Sequence, residues 1–92
     1  MRIHCVTISE EVEDKIIIEH GVTFASVESV LLGDPYVCKA KGQRYMAIGL
    51  DDTPRFVTVI FDYARGEAEV VTAYPSSGWQ IRLYRRKKRG RQ

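Results

Sequence analysis

Only two cysteines occur in the 92 residues, Cys5 and Cys38, and they lack the close C-x-x-C spacing that a zinc site or a redox pair needs. They read as reduced, buried thiols, and no residue cluster asks for a metal or a cofactor. Apolar runs are short, as at Ile16–Ile18, against the ~20 residues of a membrane helix. No apolar signal core opens the chain, so neither a membrane span nor secretion is expected and the cytoplasm is the default location. Internal repeats are absent. Acid is missing from one end: Arg82 to Gln92 holds seven of the fourteen basic residues and none of the twelve acidic ones.

The rest of the chain therefore carries seven basic against twelve acidic residues, a net of −5 hidden behind the overall +2. A cationic segment on an acidic body is built to meet a polyanion, because each Lys or Arg that neutralises a phosphate releases a condensed counterion. Nucleic acid is the first partner to consider. Apolar residues at 45% and charged residues at 28% are globular values, and a chain of this length supports one core. The reading is a single domain over residues 1–86 followed by a basic tail over 87–92.

Local patterns divide the chain at Pro35. Before it, Ser9 or Thr7 can cap a helix whose acids Glu10, Glu11, Glu13 and Asp14 suit the positive end of the dipole. Val12 and Ile16 supply its buried stripe, and Gly21 closes it after His20. Thr23 caps a second helix on which Phe24, Val27, Val30 and Leu31 share a face. Met1 to Ile8 alternates weakly and can form a short strand.

Beyond Pro35 the period falls to two. Tyr36–Ala40, Arg44–Leu50, Phe56–Tyr63 and Glu67–Tyr74 read as strands separated by Lys41-Gly42-Gln43, Asp51-Asp52-Thr53-Pro54 and Ala64-Arg65-Gly66 turns. Short links make an antiparallel meander, with the doubly apolar Phe56–Tyr63 at its centre. Trp79–Arg89 completes the list as a basic helix. The expectation is an α+β fold: two N-terminal helices packed on a four-stranded antiparallel sheet, with a C-terminal helix.

The order of short motifs adds a resemblance. His20-Gly21-Val22-Thr23 ends the first helix and Asp34-Pro35 the second; Arg44-Tyr45 and Ile48-Gly49-Leu50 lie on one strand; Arg55 opens the next; Val71-Thr72-Ala73 closes the last, and Leu83-Tyr84-Arg85-Arg86 follows. From about Glu11 to Arg86 this layout resembles the BrnT-like toxins of the RelE/ParE superfamily. The resemblance implies a RelE-like fold, metal-independent endoribonuclease activity of the mRNA interferase type, and a partner antitoxin of the ribbon-helix-helix class. It matches His20 to the family's His-Gly histidine, Arg44 to the arginine before tyrosine, Arg55 to the arginine opening the long strand, and Tyr84 to a C-terminal tyrosine. The chain departs from the family at Tyr74, where arginine is usual, and at Gln80, where glutamate is usual. Val12 and Ile16 stand where the family has lysine and asparagine.

Metal-free RNA cleavage needs a base for the 2′-hydroxyl proton, cations for the phosphorane-like transition state and an acid for the leaving 5′-oxygen. Histidine titrates nearest neutrality among side chains, so His20 is the candidate for proton transfer; it can equally cap the last carbonyls of its helix. Arg44 and Arg55 can fork a phosphate if one sheet face brings them together, or be solvated strand ends. Tyr84 and Tyr74 can stack on bases or donate a phenolic proton, although Tyr74 also suits a place covering the core edge. Trp79 can stack on a base or anchor the C-terminal segment. With Arg82, Arg85, Arg86, Lys87, Lys88 and Arg89 it makes a nucleic-acid-binding set, directed at free or ribosome-associated RNA. The rival reading is a non-catalytic module on the same fold that binds RNA or DNA, favoured by Tyr74 and Gln80. Open strand edges leave a dimer allowed without requiring one.

Overall fold

The computed structural model describes residues 1–89. Its elements run β1 (Cys5–Thr7), α1 (Glu10–His20), α2 (Phe24–Leu32), β2 (Tyr36–Lys39), β3 (Tyr45–Leu50), β4 (Phe56–Ala64), β5 (Glu67–Pro75) and α3 (Gly78–Arg89). Helices lie only before Pro35 and after Pro75, as the change of period requires. The sheet order is β1-β5-β4-β3-β2. β2 to β5 form the expected meander with β4 in the middle, and β1 adds a fifth strand parallel to β5, with Cys5 opposite Glu67. The sheet is thus mixed, because the lead-in segment returns to the edge of the last strand.

Caps set the helix ends. Ser9 is the cap of α1 and accepts from the Val12 amide at 3.1 Å. Gly21 closes that helix with φ of 65°, the left-handed conformation that glycine adopts without a Cβ penalty. The Thr23 hydroxyl accepts from the Ser26 amide at 3.1 Å and starts α2. Between β4 and β5, Arg65 and Gly66 both have positive φ, 53° and 83°, a two-residue turn whose twist matches that of the strands it joins.

Alternation along β4 gives the sheet two apolar faces. Val57, Val59 and Phe61 are fully buried with Ile16, Val22, Val27 and Val30 in the core beneath α1 and α2. Thr58 points the other way and meets Gln80 of α3, so α3 covers the opposite face, chiefly over β3 and β2. Both cysteines depart from the buried reading. Cys5 is exposed and Cys38 half-buried, since each sits on an edge strand; partial burial pushes the Cys38 thiol above its ordinary pKa.

α3 continues through Arg89, so Lys87, Lys88 and Arg89 of the basic tail are helical. The remainder of that tail, residues 90–92 with Arg91, lies outside the described residues. Among the described residues no helix is long and apolar enough to cross a membrane.

Candidate functional site: the strand ends beside His20

One end of the sheet gathers the end of α1, the start of β4, the end of β5 and the start of α3. The register that opposes Val57 to Pro75 and Thr58 to Tyr74 brings Arg55 and Tyr74 to this end. His20 arrives from α1, its ring centroid 6.1 Å from that of Tyr74 with planes tilted by 58°. The imidazole is exposed, and its Nε2 lies 4.0 Å from the Glu19 carboxylate.

Arg55 reaches the same corner. Its Nη2 donates to the Gly21 carbonyl at 3.3 Å, adding a cation to the negative end of the α1 dipole. Its Nε lies 3.5 Å from Oδ2 of Asp51, and the side chain is 40% exposed. A guanidinium has five donor hydrogens in a rigid fork, so one edge is fixed while the rest faces solvent. Asp51 is itself held from several sides: its Oδ1 accepts from the Thr53 hydroxyl (2.6 Å), the Thr53 amide (2.9 Å) and the Arg55 amide (2.8 Å), and its Oδ2 from the Ser26 hydroxyl (2.8 Å). Burial opposes the charge on Asp51, but these hydrogen bonds prevail and hold its carboxyl well below the usual carboxylate range.

Gln80 organises the other side of the corner. Only 2% exposed, it accepts at Oε1 from the Ser77 amide (2.9 Å), the Ser77 hydroxyl (3.2 Å) and the Thr58 hydroxyl (3.1 Å). Its Nε2 donates to the Tyr74 hydroxyl at 3.1 Å and lies 3.5 Å from the Met46 sulfur. The bond to the Ser77 amide is one arm of a capping box, the third residue of a helix reaching back to its cap. Tyr74 is thereby placed between a buried amide and an exposed imidazole.

The remaining candidates are distributed. Tyr84 packs edge-on against Phe56, centroids 5.3 Å apart, at the same end of the sheet but on the α3 face. Arg44 lies at the opposite end, 3.4 Å from the Asp62 carboxylate. Six residue steps along β4, about 20 Å at strand rise, separate Asp62 from Phe56, so Arg44 and Arg55 do not share a phosphate. Trp79 is 54% exposed in the first turn of α3. Arg82, Arg85, Arg86, Lys87 and Arg89 are exposed on α3. Lys88 is folded in, its ammonium 2.6 Å from the Asp34 carboxylate and 5.9 Å from the Tyr84 ring centre.

Asp51, Ser26 and Thr58 carry the site without having been singled out in the sequence. The Asp-x-Thr-Pro turn at Asp51 was a usable signal, since an aspartate commonly bonds its own backbone two residues on. So was Ser77-x-x-Gln80, a capping-box spacing. No group of three or more metal-ligating side chains gathers among the described residues. A groove of about 570 Å³ lies elsewhere, between Met1–Ile3, Leu31–Val37 and Lys87.

The fold is similar to that of a solved ribonuclease toxin. That protein is BrnT of Brucella abortus; its crystal structure matches with a TM-score of 0.67 at 26% identity, over 79% of this chain and 96% of the toxin. No protein-family model matches the chain, and no curated protein does.

Proposed function

We propose that this protein is the toxin of a type II toxin–antitoxin pair, a metal-independent endoribonuclease of the RelE/ParE superfamily silenced by a ribbon-helix-helix antitoxin. The observation that carries the proposal is the gathering of His20, Arg55 and Tyr74 at one corner of a domain similar to a ribonuclease toxin. In this reading His20 takes the 2′-hydroxyl proton, and the free edge of Arg55 stabilises charge on the phosphorane. Tyr74, held by Gln80, occupies the place of the family's arginine and faces the imidazole. Tyr84 stacks on a base or donates a proton from the α3 side. Arg44 serves a phosphate further along the RNA.

The second reading, a non-catalytic RNA- or DNA-binding module, is favoured by the tethering of Arg55 to Asp51 and Gly21 and by the engagement of the Tyr74 hydroxyl with Gln80. The test is incubation of the purified chain, freed of any antitoxin, with naked and with ribosome-bound RNA in EDTA. Cleavage of either is expected. Intact RNA in both overturns the enzyme and leaves the binding module.

A further inference from the structure

The solvent face of α3 is not uniformly basic. At 100° per residue, Trp79, Arg82, Arg86 and Arg89 fall on one stripe with Arg85 at its margin, and all five are exposed. Gln80 and Tyr84 fall on the opposite side, against the sheet. The helix contains no acid, so nothing on it neutralises the stripe. A Cβ at Gly78 would lie 3.2 Å from Nη1 of Arg82, so this guanidinium folds back along the first turn of the helix. The indole is 54% exposed and directly precedes Gln80, whose amide holds Tyr74. Trp79 thus lies in the turn of α3 nearest the strand-end corner, and the arginines lead away from it along the helix.

An aromatic plane followed by regularly spaced cations is the combination by which proteins hold single-stranded nucleic acid, bases stacking while cations track the backbone. A duplex keeps its bases stacked on one another and has no free face for the indole. We infer that the outer stripe of α3 is a single-strand RNA track, with one base stacked on Trp79 and the adjoining phosphates on Arg82, Arg86 and Arg89. This rests on the ribonuclease reading for its substrate class, and it adds that the substrate enters the corner unpaired, along α3. Arg85, whose guanidinium lies 5.5 Å from the Phe56 ring centre, contributes at the margin.

The test uses a 2′-O-methyl oligoribonucleotide, which cannot be cleaved by 2′-hydroxyl attack, so binding is read independently of catalysis. Trp79 is the only tryptophan, and its fluorescence reports the stack directly. The single strand is expected to quench it and the matching duplex is not. Trp79→Ala, read by oligonucleotide anisotropy, should weaken binding about five-fold or more. Arg82→Ala with Arg86→Ala should lower the slope of log K against log salt by about 1.4, two counterions at single-strand density. Lys15→Ala with Lys41→Ala, an equal loss of charge elsewhere, should lower it less. Salt-dependent binding without quenching, or equal slopes for the two double variants, overturns the track while leaving the ribonuclease reading to its own assay. Polyglutamate binding the stripe as tightly as the oligonucleotide also overturns it, and gives the surface to an acidic protein segment.

Discussion

The hydroxyl of Ser26, in the first turn of α2, donates a hydrogen bond of 2.8 Å to the buried carboxylate of Asp51 in the turn between β3 and β4. Through Asp51 the start of α2 is joined to Arg55, and through Arg55 to the carbonyl of Gly21 at the end of α1.

Acid should dismantle this junction. A carboxyl held below its ordinary range contributes stability above its unfolded-state value of about 4, and that contribution disappears as pH falls below it toward the folded-state value. The urea midpoint of the wild type should decline from pH 5 to pH 2. Asp51→Asn should begin lower at pH 6 and narrow its gap to the wild type as pH falls to 2, whereas Asp51→Ala should cost about 3 kcal/mol at neutral pH by stranding buried donors.

Gln80 should be among the least replaceable polar residues. Gln80→Ala removes an acceptor for Ser77 and Thr58 together with the donor to Tyr74, and leaves a void between α3 and the sheet. A loss of about 2–4 kcal/mol is expected, measured by chemical denaturation. Near-wild-type stability would show that α3 is held by its apolar residues alone.

Arg65 is the one non-glycine residue with positive φ among those described. Arg65→Asn substitutes a residue that tolerates the left-handed region and creates the Asn-Gly pair preferred in such hairpins. The melting temperature should rise, by the equivalent of about 0.5–1 kcal/mol.

Catalytic substitutions should separate by position. His20 is exposed and bears little on the core, so His20→Ala should lower RNA cleavage by about 10²–10⁴ in kcat with an unchanged circular dichroism spectrum. Arg44→Ala, at the far end of the sheet, should raise KM and leave kcat nearly as it was, the signature of lost uniform binding. A kcat loss at Arg44 equal to that at Arg55 would require the two arginines to converge on one phosphate.

What the sequence disclosed and what it concealed divide by the range of the interaction. α1 is legible to the residue because Ser9 and Gly21 lie within one helical turn of what they cap. β4 is legible because Val57, Val59 and Phe61 repeat a local period. The pairing of β1 with β5 leaves no such trace, since Cys5 and Glu67 meet only after the whole meander has formed. Asp51 and Gln80 were obscured for a related reason: a polar residue in a turn or on a basic helix looks solvated until Ser26, Thr58 and Tyr74 are brought to it. The separation of Arg44 from Arg55 was partly within reach, because neighbouring antiparallel strands begin at opposite ends.

β1 and β5 are paired across about sixty positions of chain, and this imposes an order on biosynthesis. A chain emerging from the ribosome at about 5–20 residues per second can form α1, α2 and the β3–β4 hairpin early, from neighbours already present. β1 must wait unpaired until Glu67 has been made. The corner waits longer, since Tyr74 and the helix that fixes it are made after Glu67. Under the ribonuclease reading, a nascent or prematurely terminated chain carries His20 and Arg55 without the strand that sets them against Tyr74. On that reading the chain stays inert until Tyr74 and Gln80 have been added, and an antitoxin has that interval in which to be ready.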